Sequence, residues 1–166
     1  MAQGNNNTVL NTSELMTGKD GRLYVQLDGV NYLLAEINEY KVVMNINSTQ
    51  YQPVGSILEG TVPLGVTFDL TYTEAVVRDD LVTGPLIKAI GEGYLPTYNF
   101  QGSVTKPDGV TTQTIAYNNA IPNGTFDLQS VVPGDIIKRA QSFRLNTIPS
   151  YVTSLVSNEL GTVAAK

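Results

Sequence analysis

The chain has 166 residues, 42% of them hydrophobic and 15% charged, with a formal net charge of −5. That length fits one domain able to bury a core without metal or disulfide support, and the composition excludes an intrinsically disordered chain. Cys, His and Trp are absent, which removes thiolate, imidazole and zinc-site chemistry, and the acidic balance argues against a surface built to hold nucleic-acid phosphates.

The first residues, MAQGNNNTVLNTSE, lack the basic start and apolar stretch of a secretion signal, so folding in the cytoplasm is expected. No run of about 18 apolar residues occurs, so no membrane-spanning helix is expected. Residues 1–17 are polar, Asn-rich and aperiodic, and read as an arm that the domain alone would not order. Residues 18–37, GKDGRLYVQLDGVNYLLAEI, then form a β-hairpin. Leu23, Val25 and Leu27 alternate with polar neighbours, Asp28 and Gly29 supply a tight two-residue turn, and Val30, Tyr32 and Leu34 resume the alternation.

A strand-like KVVMNI at 41–46 precedes a stretch, 47–64, that holds Pro53, Gly55, Gly60 and Pro63 and therefore reads as a long inter-strand loop. Residues 65–73, GVTFDLTYT, are the cleanest strand. Val66, Phe68, Leu70 and Tyr72 belong to a buried face, and Thr67, Asp69, Thr71 and Thr73 to a wet one. A short helix follows near 80–91, with acidic residues ahead of it, Thr83 as its cap, Pro85 in its first turn and Gly91 or Gly93 as its stop.

Strand patterns at 97–105 and 112–118, joined by Pro107-Asp108-Gly109, make a second hairpin. Phe126, Leu128 and Val131 suggest one further strand and Phe143 and Leu145 another, with Pro133-Gly134 between them. The tail, 147–166, is either a closing helical turn or a loose end. The sum is a mainly β chain: an antiparallel β-sandwich or barrel with one flanking short helix, an arm at 1–17, a β domain at 18–146 and a tail at 147–166.

Paired carboxylates are the only catalytic candidates, and Asp79-Asp80 at a helix start reads as dipole stabilisation in place of an acid and a base. Asp127 and Asp135 flank a turn without metal-loop spacing, and no phosphate-binding glycine loop occurs. No catalytic, metal or cofactor residue is therefore assigned, and an enzyme is not expected. Most of the nine tyrosines fall at strand spacing, whereas Tyr51, in the presumed loop, suits a contact role.

Lys and Arg are missing between Lys41 and Arg78 and between Lys106 and Lys138. A sheet face of Thr, Asn, Gln and Asp with cations kept elsewhere would let DNA pass without sticking; chance in a chain with ten basic residues accounts for the gaps equally well.

The order of elements resembles the tail tube proteins of contractile-tailed bacteriophages and phage-tail-like bacteriocins, particularly the group of Gram-positive hosts and their prophages. The residues that carry the resemblance are 18–27 with Asp28-Gly29, Leu58-Glu59-Gly60-Thr61 leading into 66–72, and 124–133, within a span of roughly residues 17–146. The resemblance implies hexameric rings stacked into a hollow tube inside a sheath, with tape-measure and baseplate proteins as further partners and transient, non-specific passage of DNA. It implies a virion or bacteriocin particle assembled in the host cytoplasm, with no stable membrane association.

Carried onto this sequence, Thr67, Asp69, Thr71 and Thr73 would face the lumen, and Leu10, Asp28, Gly29, Tyr51, Val54 and Ile57 would make inter-subunit or inter-ring contacts. The family's long loop tends to carry Lys or Arg; here STQYQPVGSILEG has neither, so apolar and backbone contacts stand in for ion pairs. Two alternatives remain at this point: a carbohydrate- or receptor-binding β-sandwich module, and a tube protein of the type VI secretion kind. A small carboxylate-dependent hydrolase is the weakest rival.

Overall fold

The computed structural model describes residues 18, 21–27, 30–34, 37–75, 79–107 and 109–153. Eight strands and one helix follow in chain order: β1 (Gly21–Leu27), β2 (Val30–Leu33), β3 (Ile37–Tyr51), β4 (Gly60–Glu74), α1 (Thr83–Gly91), β5 (Tyr98–Thr105), β6 (Thr112–Pro122), β7 (Arg139–Leu145) and β8 (Ser150–Thr153). The strands form one antiparallel sheet in the order β2-β1-β5-β6-β7-β4-β3, with β8 beside β6. This is the mainly β, antiparallel architecture with a single short helix that the patterning implies.

The sheet curls on itself. The Tyr40 ring of β3 lies against Gly21 of β1 and Gly102 of β5, close enough that a Cβ at Gly102 would stand 3.3 Å from the Tyr40 hydroxyl and 3.1 Å from the Tyr117 ring. Inside the curl, Leu23, Val25, Leu70, Tyr72, Phe100 and Leu145 close around Phe143. Phe143 is fully buried and is the hub of the aromatic core, with ring centroids 5.0 Å from Phe100, 5.3 Å from Phe126, 5.5 Å from Tyr98 and 5.9 Å from Tyr72. Several of these meet edge to face, the arrangement the ring quadrupole favours.

The first hairpin is present, Leu27 pairing with Val30, but its second strand is shorter and wetter than its alternation suggests. Val30 and Tyr32 are exposed, and burial resumes only at Leu34, because among the described residues β2 is an edge strand that pairs with β1 alone. The second hairpin joins β5 to β6, with Thr105 opposite Thr112 and a turn closed by Lys106 N–H to Thr111 O and Gly109 N–H to Lys106 O.

The helix begins later than the acidic residues suggest. Thr83 is its first helical residue and not its cap; the capping position is Val82, which offers no side-chain bond. Pro85 lies in the first turn, where no N–H is needed. At the other end Gly93 takes φ +90°, its N–H reaching Ile90 O and the Tyr94 N–H reaching Ala89 O, a Schellman stop. Leu86 and Ala89 face the core, while Ile87 and Ile90 are exposed.

Three further expectations are corrected. Residues 123–138 form no strand; they run irregularly along β7, held by Asn123 N–H to Ser142 O and Asp127 N–H to Ala140 O. The tail contributes a strand, β8, paired with β6. The long inter-strand loop does not exist as such: most of 47–64 belongs to β3 and β4, and only 52–59 connect them.

Candidate assembly surface

β3 and β4 pair in register from Ile37↔Glu74 to Tyr51↔Gly60, and β7 covers β4 only from Phe68 to Glu74. The remainder, 45–51 against 60–67, is a two-stranded ribbon that leaves the body of the sheet, roughly 25 Å long at about 3.3 Å per residue. Pro63 is tolerated there because the register slips between Asn47 and Ser48, leaving Leu64 as the extra residue of a bulge. Along the ribbon β4 has only β3 beside it among the described residues. Proline and glycine had made this stretch look like a loop; a bulge on an open-edged strand accommodates both.

One face of the ribbon is apolar. The buried Leu70 and half-buried Val42 continue outward as the cross-strand pairs Met44↔Phe68 and Ile46↔Val66, in which Met44, Ile46 and Val66 are at least half exposed. At the tip, Ser56 N–H bonds Pro53 O across a turn whose Gly55 has φ +86°. The Gln52 amide donates to Ser56 O and the Leu58 N–H to Ser56 Oγ. The tip is thus ordered by its own hydrogen bonds, yet Val54 and Ile57 are fully exposed and Tyr51 largely so. These three sequence-assigned contact residues therefore stand together on one projecting element.

The opposite face of β4 carries Thr67, Asp69, Thr71 and Thr73. Across from them in β3 lie Asn45, Val43, Lys41 and Glu39, and in β7 Arg144, Ser142 and Ala140. Asp69 accepts bonds from Asn45 Nδ2 at 3.0 Å and from Arg144 Nε at 3.0 Å. Lys41, Glu39, Thr71, Thr73, Thr125 and Ser142 line an open groove of about 180 Å³ on this face. The expectation that cations are kept off it is corrected: Lys41 stands opposite Thr71, and Arg144 neutralises Asp69. Sequence gaps between basic residues do not reveal this, because Arg144 is brought in by a strand 75 residues away.

Leu10, Asp28 and Gly29 lie outside the described residues. Among the described residues the ribbon is flanked by an open sheet edge, since β3 pairs there with β4 alone, as β2 does with β1. Unpaired N–H and C=O groups along such edges invite pairing with another chain.

No protein-family model matches the sequence, and no curated protein does so. Solved structures do match. A chain in the cryo-EM structure of the anti-feeding prophage baseplate, 6-fold symmetrised, superposes with a TM-score of 0.62 at 9% identity, over 80% of this chain and 91% of that one. What the two chains share is the fold. It recurs in a chain of the extracellular contractile injection system PVC sheath-tube complex in its extended state, with a TM-score of 0.60 at 16% identity over 85% and 95% of the two chains. A chain of the virion of a native gene transfer agent particle matches with a TM-score of 0.56 at 14% identity, over 84% of this chain and the whole of that one. At such identities what is shared with these chains is the fold.

Among the described residues no helix is long and apolar enough to cross a membrane, and no group of acidic residues is placed to hold a metal ion. Asp79, one half of the paired carboxylates, is engaged by Arg139 at 2.6 Å. It thereby forms an ion pair between the helix approach and β7.

Proposed function

We propose that the chain is the structural subunit of a contractile tail's inner tube, assembling into stacked hexameric rings around a hollow lumen, and that it catalyses nothing. The observation that carries this reading is the projecting ribbon: an apolar face continuous with the core, an ordered tip with Val54 and Ile57 bare, and a β3 edge that no other strand pairs among the described residues. A monomer gains nothing from such an element, whereas a neighbour covering it buries apolar surface and pairs the edge. The shared architecture with chains of a sheath-tube complex supports the same reading.

In this arrangement Tyr51, Val54 and Ile57 meet an adjacent subunit or ring, and Leu10, Asp28 and Gly29 add contacts from the arm and the first hairpin. Thr67, Asp69, Thr71 and Thr73 face the lumen. The Asp69–Arg144 pair leaves that face hydroxyl-rich and locally neutral, a surface along which DNA passes without adhering. Sheath, tape-measure and baseplate proteins are the partners, in a phage virion or a bacteriocin particle of the Gram-positive prophage type assembled in the host cytoplasm.

Negative-stain imaging of the purified protein tests the reading. Stacked rings with a central hole are expected. Monomers under every assembly condition, including with baseplate components present, would overturn it.

A further inference from the structure

At the foot of β4 the core-facing side turns polar. Tyr72 is directly opposite Gln141, and Glu74 is directly opposite Arg139. The first pair is satisfied: the Tyr72 hydroxyl donates to Gln141 Oε1 at 2.6 Å, and Gln141 Nε2 donates onward to Thr83 Oγ1 at the start of α1. The second pair is not. Glu74 is 3% exposed and neither carboxylate oxygen has a hydrogen-bond donor, while Arg139, 4% exposed, has a buried Nε without an acceptor. Unsatisfied donor and unsatisfied acceptors therefore occupy one cross-strand pair.

Arg139 is engaged elsewhere. Its Nη1 donates to Leu128 O at 2.7 Å and its Nη2 to Asp79 Oδ1 at 2.6 Å, although the Asp79 side chain is 64% exposed. Asp79 in turn seats the helix: its backbone oxygen accepts the Gly84 N–H at 2.6 Å, in a space where a Cβ on Gly84 would stand 2.6 Å from that same oxygen. One guanidinium thus has two carboxylates as neighbours and is bonded to one of them, Asp79, which carries the chain into α1.

We infer that Glu74, Arg139 and Asp79 form a proton-operated latch on the approach to α1: with Glu74 protonated the guanidinium is held by Asp79, and with Glu74 ionised it turns to Glu74 and releases Asp79 to solvent. An ionised carboxylate buried beside a free N–H has a strong claim on it, whereas the exposed Asp79 loses little by returning to water. The charged and titratable groups facing Glu74 among the described residues are Arg139 from β7, Asp79 and Asp80 from the approach to α1, and the Tyr72 phenol on β4. Burial pushes the Glu74 carboxyl up to about 7; Arg139 opposes this, and Asp79 and Asp80 add to it. Tyr72, and Tyr98, which donates to Val82 O beside it, are pushed up by burial and remain neutral throughout. The latch therefore works near neutrality. What it positions is a helix presenting Ile87 and Ile90 to solvent.

Hydrogen exchange of the full chain, followed by mass spectrometry over residues 79–86 and corrected for the intrinsic pH dependence of exchange, tests the latch. Protection is expected to fall about tenfold or more between about pH 6 and about pH 8, with its midpoint where Glu74 titrates. Glu74→Gln, which mimics the protonated form, is expected to keep at the higher pH the protection the wild type has at the lower. Asp79→Asn is expected to be weakly protected throughout, with no step. Equal wild-type protection at both pH values, or a step that survives in Glu74→Gln or in Asp79→Asn, overturns the inference. Should Asp79→Asn not fold, the wild type and Glu74→Gln decide it between them.

Discussion

Residues 37–44 against 68–74, and residues 45–51 against 60–67, belong to the same two strands and alternate apolar with polar side chains, yet they live in opposite environments. The first segment is roofed by β7 and the aromatic core, so that Leu70 and Tyr72 are buried. Among the described residues the second has nothing over it, and Ile46 and Val66, with Met44 at the junction, stand in water. Full burial of a Val, Leu, Ile, Phe or Met side chain is worth about 1.5–3 kcal/mol. The stripe and the bare tip together therefore leave on the order of 10 kcal/mol unrealised in the isolated chain, before the costs of association are set against it. The lesson is that burial along a strand is decided by what lies across the sheet, and that an uncovered continuation of a core face stores a driving force for assembly.

That contrast can be broken by substitution, and the core is where the effect on the monomer is largest. Phe143→Ala removes the hub of the ring cluster and is expected to cost about 3–5 kcal/mol in chemical denaturation. A loss below about 1 kcal/mol would mean that the core lies elsewhere.

Acidity sharpens the comparison next. The folded Glu74 carboxyl titrates near 7, above its ordinary 4.5, so the native state holds an extra proton between those values. The stabilisation is fully present below about 4.5 and is lost as pH rises through about 7. Glu74→Gln should remove this slope, read as the denaturation midpoint at several pH values.

Smaller is the effect of closing the space under Tyr40. Gly102→Ala places a Cβ 3.1 Å from the Tyr117 ring, and about 1–2 kcal/mol of destabilisation is expected. Arg144→Ala, on the hydroxyl-rich face, should cost below about 1 kcal/mol, since the pair with Asp69 is partly solvated.

Smallest of all on the monomer, within about 0.5 kcal/mol, is the double change Ile46→Ser with Val54→Ser on the ribbon. The same change should abolish ring stacking in electron micrographs. A ribbon variant that unfolds the monomer, or that still stacks, would erase the distinction between the two halves of the hairpin.

Much of the fold was legible because local chemistry wrote it. Two residues between Leu27 and Val30 leave room only for a hairpin turn, Pro107-Asp108-Gly109 closes another, and Gly93 stops the helix by adopting the conformation that glycine alone takes freely. The error at 47–64 has an equally local source: prolines and glycines look the same in a loop as in a bulged, open-edged ribbon, and only pairing over as many as 37 residues, Ile37 with Glu74, distinguishes them. Tyr51, Val54 and Ile57 could be put forward as contact candidates from sequence, but their gathering on one projecting tip could not.

Composition, alternation and turn residues by themselves determined that this chain is mainly β, antiparallel, carries one short helix, and has neither thiol nor imidazole to work with. Those properties are set within a few residues of each position, by backbone preference and by which side chains can face water. Tertiary structure alone decided that Arg144 meets Asp69, that Glu74 is sealed opposite Arg139, and that half of the long hairpin is left uncovered. Each depends on strands far apart in sequence being laid side by side, and no local preference carries that information.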